Sequence, residues 1–295
     1  MDLVSKNIKT VLFKGAEIKL PIFLDHQSTT PLAPKVRDSV IQSFSAPGNA
    51  ESNTHVFGLN ARAHIEKAKD QISALLSCYP DEIIFTSGAT EANNLALLGY
   101  SRGFKDKGHI ISLETEHASV LSPLQILKAE GYDITLLPVT NNGLLDLSTL
   151  EAALRPDTIL VSIQAANNEI GTIQNISEIA SICASRNIVF HTDATQALLT
   201  EEINVGNKNI TLLSLSGHKM YGPQGIGALF IKRGTKLSPL IYGGDQQNGL
   251  RGGTLPTPLI IGLGQACQIV IECRQKDEAH LLHLSDIMKS QLSIH

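Results

Sequence analysis

A lysine stands in a short turn bounded by glycines, within the run SLSGHKMYGP that begins at Ser214 and follows a predicted strand. An amine that is partly desolvated loses its proton readily and can form a Schiff base with an aldehyde. The serine and histidine beside it are hydrogen-bond donors. Lys219 is therefore a candidate for covalent chemistry, and an ordinary surface lysine is the open alternative.

An acid follows a second predicted strand, over residues 187–192. Ligands of open α/β sheets collect at the carboxyl ends of the strands, so Asp193 stands where a cofactor would bind. A carboxylate there can pair with a protonated pyridine nitrogen and keep the ring an electron sink. Two alternatives stay open, a helix cap by Asp193 and a metal pair with His191.

The segment TSGATE, residues 86–91, follows a third predicted strand and opens a predicted helix. The first N–H groups of a helix lack partners within it and carry the positive end of its dipole, which favours a bound phosphate. The alternative is an N-cap by Ser87 or Thr90. Together the three segments fit one ligand, pyridoxal phosphate, which has a phosphate, a pyridine ring and an aldehyde.

Alternating strands and helices must position these segments. Strands are predicted at 82–86, 109–113, 133–138, 158–163, 187–192, 211–215 and 225–231, and helices at 59–77, 89–100, 118–130, 176–186 and from 258 onward. This alternation implies crossover connections and a mostly parallel sheet covered by helices on both faces. The close spacing of the last two strands predicts an antiparallel strand, so the expected class is α/β with a mixed sheet of about seven strands.

Composition excludes several other functions. The 295 residues are 42% hydrophobic, and 24 basic against 28 acidic residues give a net charge of -4 with no basic stripe for nucleic acid. No apolar run reaches the roughly 18 residues of a membrane span, and the first twenty residues lack a signal-peptide core, so a cytoplasmic protein is expected. The four cysteines show no C-x-x-C pair or zinc spacing, and no metal is expected.

Seven segments in unbroken order resemble the cysteine desulfurases, a branch of the class V aminotransferase-like pyridoxal-phosphate enzymes of fold type I. They are FLDHQSTTP (23–31), TSGATE (86–91), TEH (115–117), NNEIG (167–171), HTDATQ (191–196), SGHKMYGP (216–223) and RGGTLP (251–256). The resemblance covers roughly residues 20 to 275. An ordered set of this kind is far more specific than any single motif.

The resemblance implies a role for each matching residue. Lys219 would hold pyridoxal 5'-phosphate as a Schiff base, Asp193 would pair with the ring nitrogen, and Gln196 would bond the ring hydroxyl. His117 would lie over the ring and transfer protons. The implied phosphate ligands are Thr90, the backbone at Ala89, Ser216, His218 and, reaching in from a second subunit of a homodimer, Thr254. The implied substrate-side residues are Asn168, which also lies close to the ring hydroxyl, and Asn49.

Simpler functions remain open for three of these side chains. The alternative for His117 is a capping or surface histidine, and the alternative for Asn168 and Gln196 is to satisfy turn backbone.

The implied activity converts L-cysteine to L-alanine and passes the sulfur to an acceptor thiol, with an iron–sulfur scaffold or a sulfur-acceptor protein as a further partner. The expected division is an N-terminal extension or part of a small domain (1–20), a cofactor-binding large domain (21–258), and a linking helix that starts a C-terminal small domain (259–295). The family's nucleophilic cysteine and carboxylate-binding arginine lie in that small domain, and the sequence matches neither. Impaired turnover by a truncated chain is therefore expected, with a catalytically incomplete scaffold, or an aminotransferase or lyase for another amino acid, as alternatives.

Overall fold

The computed structural model describes residues 9–13, 15–104 and 106–292. Its strands are β1 (Lys9–Phe13), β2 (Ala16–Leu20), β3 (Ile83–Thr86), β4 (His109–Leu113), β5 (Asp133–Leu137), β6 (Thr158–Ser162), β7 (Val189–Asp193), β8 (Leu212–Ser216) and β9 (Gly227–Ile231). Its α-helices are α1 (Pro34–Phe44), α2 (Val56–Leu76), α3 (Ala89–Asn94), α4 (Ala118–Ala129), α5 (Leu147–Ala153), α6 (Ile176–Ser185) and α7 (Thr257–Leu292).

Seven strands form one mixed sheet in the order β3-β9-β8-β7-β6-β4-β5. The strands β5, β4, β6, β7 and β8 are parallel to their neighbours, whereas β9 runs antiparallel to both β8 and β3. All strands of this sheet except β9 therefore end at the same edge. The predicted α/β class, the strand number and the antiparallel strand are confirmed.

Helices cover both faces of the sheet, because its strands carry apolar side chains on both sides. One face packs on α2, α6 and α7 in the main core, which contains Phe85, Val161 and Phe190. The other face packs on α3 and α4, where β-strand residues such as Ile110 and Leu160 meet the helices. Successive strand residues point to opposite faces, so Val189, His191 and Asp193 share the α3 and α4 face.

The predicted elements agree with the observed ones to within a few residues, with one local difference. The helix predicted over 89–100 is α-helical to Asn94 and continues as a π-helix over Leu95–Gly99. The carbonyl of Gly99 accepts a 2.8 Å hydrogen bond from the N–H of Ser238, which joins this wider turn to the loop after β9. The sequence patterns did not predict four elements: β1, β2, α1 and α5.

Helix α7 packs along α2 and α1 and is continuous across residue 258, where the large domain was predicted to end. The division into three parts thus stays a prediction, and residues 1–8 of its first part lie outside the described chain. Within the described ranges, no helix combines the length and the apolar character that crossing a bilayer requires.

Candidate active site

A cleft of about 700 Å³ opens at the edge where the parallel strands end. Its walls come from the segments that follow β3, β4, β6, β7 and β8, together with residues 27–29 of the loop before α1. The sequence-predicted residues that line it are Ala89, Thr90, His117, Asn168, Asp193, Gln196, Ser216, His218 and Lys219. Shared strand direction therefore brings together residues that are up to 130 positions apart.

Lys219 follows β8 at the end of a short 3-10 turn, Gly217–Lys219. Its half-buried amine donates hydrogen bonds to the backbone carbonyls of Gln27 and Ser28, the latter at 2.9 Å. Burial lowers the pKa of Lys219, and the nearby carboxylates of Asp193 and Asp25 oppose that shift. The amine is thereby shifted toward the neutral form that nucleophilic attack on an aldehyde requires.

The loop before α1 is hydrogen-bonded to the turn that carries Lys219. The backbone N–H and the hydroxyl of Thr30 both donate to the carbonyl of His218, at 2.9 and 2.8 Å. A ring nitrogen of His218 lies 3.0 Å from the hydroxyl of Thr29. Burial and the neighbouring charge of Lys219 lower the pKa of His218, which favours the neutral ring. This loop had been recognised as a motif, yet its contacts with the lysine turn were not predicted.

Asp193 is the last residue of β7 and is buried, at 8% exposure. One of its carboxylate oxygens accepts the N–H of Thr195 at 3.0 Å and so caps a turn, but no helix begins there among the described residues, and the predicted helix cap is not observed. The other oxygen accepts a 2.7 Å hydrogen bond from the amide of Asn93 in α3. The carboxylate also lines the cleft, which means that capping and facing a ligand are compatible in this position.

The alternative of a metal pair between Asp193 and His191 finds no support among the described residues, where no cluster of metal-ligating side chains is present. The His191 ring lies between the hydroxyls of Ser162 and Ser214, at 2.8 and 3.0 Å. Burial lowers its pKa to about 4, although the charge of Asp193 acts in the opposite direction. His191 is a neutral side chain that links three neighbouring strands.

The turn between β3 and α3 is shaped by glycine. Gly88 has a φ of 152°, a conformation that disfavours other residues, and it forms the N-cap of α3 without a side-chain cap. The alternative of a capping Ser87 or Thr90 is therefore not observed. A Cβ on Gly227 would lie 2.7 Å from the Cα of Gly88, so the backbone of β9 packs directly against this turn. The first N–H groups of α3 are left for the cleft.

A partly buried ion pair anchors the segment after β9 to this helix. The Nε atom of Arg251 lies 2.9 Å from one carboxylate oxygen of Glu91, and the other carboxylate oxygen accepts the backbone N–H of Ser87 at 2.7 Å. Burial alone would raise the pKa of Glu91, but Arg251 and Ser87 lower it overall. Glu91 thus ties the RGGTLP motif to the turn at Gly88, a link between two motifs that sequence reasoning missed.

His117 is the N-cap of α4, as its simpler alternative proposed, and it also lines the cleft. Its Nδ1 atom accepts the backbone N–H of Ser119 at 3.1 Å and lies 2.8 Å from the Ser119 hydroxyl. The cap therefore fixes the orientation of the ring at the cleft wall.

Two amide side chains connect the cleft walls across the lysine. The amide nitrogen of Gln196 donates to the carbonyl of Gln27 at 3.0 Å, and that of Gln27 donates to the carbonyl of Asn168 at 2.9 Å. The Asn168 amide donates to Glu169 at 2.7 Å. Gln196 thus bonds backbone, as its simpler alternative predicted. Gln196 and Asn168 also line the cleft.

Two predicted residues lie outside this cleft. Thr254 is exposed, and Asn49 is exposed with its side-chain oxygen on the N–H of Glu51, at 3.0 Å. Gly48 and Leu255, their neighbours, line a second cleft of about 740 Å³ between α1, α2 and the start of α7. The roles of Thr254 and Asn49 stay predictions.

A carboxyl group that sequence reasoning did not single out lies beneath the cleft. Glu116 is 6% exposed, and one of its oxygens accepts the backbone N–H of Gln164 at 2.7 Å. Its other oxygen has no hydrogen-bond partner within the described structure. Burial raises the pKa of Glu116 well above its usual value, and the charge of Asp193 adds to the increase. The protonated, neutral form is favoured.

Glu116→Gln is expected to gain stability relative to the wild type as the pH rises. A raised folded-state pKa means that the contribution of protonated Glu116 is fully present below its ordinary value of 4.5 and is lost as the pH rises through the folded-state pKa. Glutamine does not ionise, so the difference grows by at most about 1.4 kcal/mol per pH unit. Urea unfolding at a series of pH values measures it, with exposed Glu114→Gln as control. A difference that does not vary with pH contradicts the assignment.

The chain is similar to known proteins over most of its length. The sequence profile described as Aminotransferase class-V matches residues 22–294. The cysteine desulfurase IscS of Ehrlichia chaffeensis is 44% identical over 283 residues, which are 95% of this chain and 69% of that protein. The chain belongs to the cysteine desulfurase branch of that family.

Two further proteins are similar to this chain. A mitochondrial cysteine desulfurase of Eremothecium gossypii is 47% identical over 279 residues, which are 93% of this chain and 57% of that protein. A solved structure described as SspA in complex with cysteine is 42% identical with a TM-score of 0.81, over 83% of this chain and 72% of that chain. The chain thus spans little more than half the length of the Eremothecium protein.

Proposed function

We propose that this chain binds pyridoxal 5'-phosphate and L-cysteine, and that it serves in a cysteine desulfurase that leaves L-alanine and passes the sulfur to an acceptor thiol. One observation carries the proposal: a lysine amine with a lowered pKa, a buried carboxylate and a helix N-terminus line a single cleft. The family membership supports the cofactor, since class V aminotransferases and cysteine desulfurases are pyridoxal-phosphate enzymes.

The chemistry of the side chains fits this cofactor. Lys219 supplies an amine for the aldehyde, and Asp193 supplies an acceptor for a protonated ring nitrogen. The N–H groups at Ala89 and Thr90 would hold the phosphate, with the side chains of Thr90, Ser216 and His218 beside them. A Cβ on Gly88 would meet the Ser216 hydroxyl only at 3.8 Å, so the space in front of this turn is open.

When bound, the cofactor supplies an electron sink that stabilises negative charge at the α-carbon of the substrate. Lys219 then holds or moves a proton at Nζ, since its lowered pKa makes the neutral amine accessible. His117 moves a second proton from the cleft wall, and Gln196 bonds the ring hydroxyl. Asn168 would contact the substrate, whereas Asn49 lies outside this cleft and is assigned no contact there. The buried carboxylate of Asp193 would pair with the ring nitrogen.

The sulfur acceptor is proposed to come from beyond the walls of this cleft. No cysteine is among the described residues that line the cleft, and the four thiols are Cys78, Cys183, Cys267 and Cys273. Burial raises the pKa of the first three to about 12, which suppresses the reactive thiolate. An acceptor protein, such as an iron–sulfur scaffold, or a further segment of the whole enzyme would supply the thiol.

A homodimer follows from the proposed role of Thr254. This threonine is exposed and lies outside the cleft of its own chain, while Arg251 nearby is fixed to Glu91. Thr254 would therefore reach the phosphate of a second copy. The large domain is proposed to end near residue 258, where the linking helix begins. Two large domains would pair through the segment that contains Arg251 and Thr254.

The test of this function is turnover of L-cysteine by the chain loaded with pyridoxal 5'-phosphate. We expect L-cysteine to change the visible absorbance of the bound cofactor, and L-alanine to form very slowly until a small thiol such as dithiothreitol is added as acceptor. L-Serine, which matches the substrate in size but carries no sulfur to transfer, is the control and should yield no L-alanine. Rapid, sustained sulfide release without an added thiol would contradict the proposed source of the acceptor, and an unchanged spectrum would contradict the substrate.

A further inference from the structure

A chain of hydrogen bonds runs under the floor of the cleft from β7 to α4. The Asn93 amide nitrogen donates to Asp193 at 2.7 Å and to the Ser119 hydroxyl at 2.8 Å. That hydroxyl lies 2.8 Å from Nδ1 of His117. Asn93 is fully buried and Ser119 is 7% exposed, so water does not interrupt the chain. Asp193 and His117, which stand on different elements, are thereby physically connected.

The direction of every hydrogen bond in this chain is determined by its two ends. An ionised carboxylate only accepts, so the atom of Asn93 that faces Asp193 must be the amide nitrogen. The second hydrogen of that nitrogen then points at the Ser119 oxygen, which leaves the Ser119 hydroxyl hydrogen to be donated to Nδ1. The backbone N–H of Ser119 donates to the same nitrogen. Nδ1 of His117 consequently carries no proton.

Keeping this direction leaves one buried atom without a partner. The side-chain oxygen of Asn93 has no hydrogen bond within the described structure. Buried amide oxygens are normally bonded, and an unsatisfied one is costly. The position of Asn93 on the helix face next to Ala92, Ala96 and Leu97 would suit an apolar residue. An asparagine held there with an orphaned oxygen points to a function for its two amide hydrogens.

We propose that Asn93 and Ser119 are positioning residues that set the protonation state of His117. They hold the ring as the neutral tautomer with its proton on Nε2, and they link that tautomer to the charge of Asp193. The proposal rests on the proposed function, because it concerns the proton transfer assigned there to His117. With its proton on Nε2, the neutral ring must first donate that proton before the same nitrogen can accept one.

The test begins on the chain without cofactor. Two-bond ¹H–¹⁵N correlation spectra of histidine-labelled protein distinguish the two tautomers, and His117→Gln identifies the His117 signals. We expect the wild type to show the proton on Nε2. In Asn93→Ala and Ser119→Ala the other tautomer should gain roughly two- to tenfold in population, the effect of one lost hydrogen bond. Ser119→Thr, which keeps a hydroxyl, should restore the wild-type spectrum.

The matched control is Asn94→Ala, whose amide donates to the Thr90 carbonyl and lies outside this chain of bonds. Ser119→Ala removes a single hydroxyl, so it remains informative if Asn93→Ala fails to fold. A wild-type proton on Nδ1, or Asn93 and Ser119 variants that match Asn94→Ala, would overturn the proposal. The proposed function stands or falls separately, because covalent capture of the cofactor by the wild type does not depend on these spectra.

Discussion

Lys219→Ala is expected to abolish covalent retention of pyridoxal 5'-phosphate. The lysine amine is the group in the cleft that can condense with the aldehyde, and burial lowers its pKa toward the neutral, reactive form. Alanine has no nucleophile, so the loss should be complete rather than partial. Borohydride reduction followed by intact-mass measurement is the direct assay, because the reduced bond to the cofactor survives denaturation in the wild type alone.

Lys232→Ala provides the matched control for this measurement. Lys232 follows β9, is exposed, and does not line the cleft. Its variant should gain the mass of the cofactor on reduction just as the wild type does. Circular dichroism of Lys219→Ala checks that the fold is intact, and the variant should still bind the cofactor non-covalently. A mass gain that persists in Lys219→Ala would place the covalent bond on another lysine and remove the basis of the proposed function.

The sheet could be predicted from the sequence because its strands are continuous apolar runs between turn residues. Buried strands such as β4 and β6 read in this way, and their predicted limits lie within one residue of the observed ones. The hairpin β1–β2 and helix α1 lack this contrast. Their residues are largely exposed, and α1 shows only two fully buried positions, Val36 and Val40, so no strong periodic pattern marks it.

The site could be predicted in part because parallel strands end at one edge. Lys219, Asp193 and Gly88 follow strands of the same direction, so their segments meet without any knowledge of the loops. The hydrogen bonds from the Lys219 amine to the loop before α1 could not be predicted in this way. The carbonyls that hold its amine are backbone atoms of residues 27 and 28, about 190 positions away, and no side-chain pattern encodes such a contact.

The sequence indicates that Asn93 is an unusual residue for its position in the helix. It lies three and four residues before Ala96 and Leu97, which places a polar side chain on the apolar face of its helix. A buried polar residue at such a position needs partners. Its partners, Asp193 and Ser119, come from two other elements, and only the packing of α3 and α4 on the same face of the sheet brings them together.

Asp193→Asn is expected to weaken cofactor binding by roughly 150- to 5,000-fold. The buried carboxylate would face a protonated ring nitrogen, and removal of one partner of a buried charge pair costs about 3–5 kcal/mol. Asparagine keeps the size of the side chain and an oxygen that can accept the Thr195 N–H, as Asp193 does at 3.0 Å in the wild type, so the turn after β7 should persist. The measurement is a titration with pyridoxal 5'-phosphate followed by absorbance.

The control for Asp193→Asn is the same change at Asp70, an exposed residue of α2. Asp70→Asn should bind the cofactor as the wild type does. Combining Asp193→Asn with Lys219→Ala separates the charge from the covalent bond, because any departure of the double variant from the sum of the two losses measures the coupling between Asp193 and Lys219. An Asp193→Asn chain that binds within a few-fold of the wild type would show that the carboxylate only caps the turn, and the ring would then need another counter-ion.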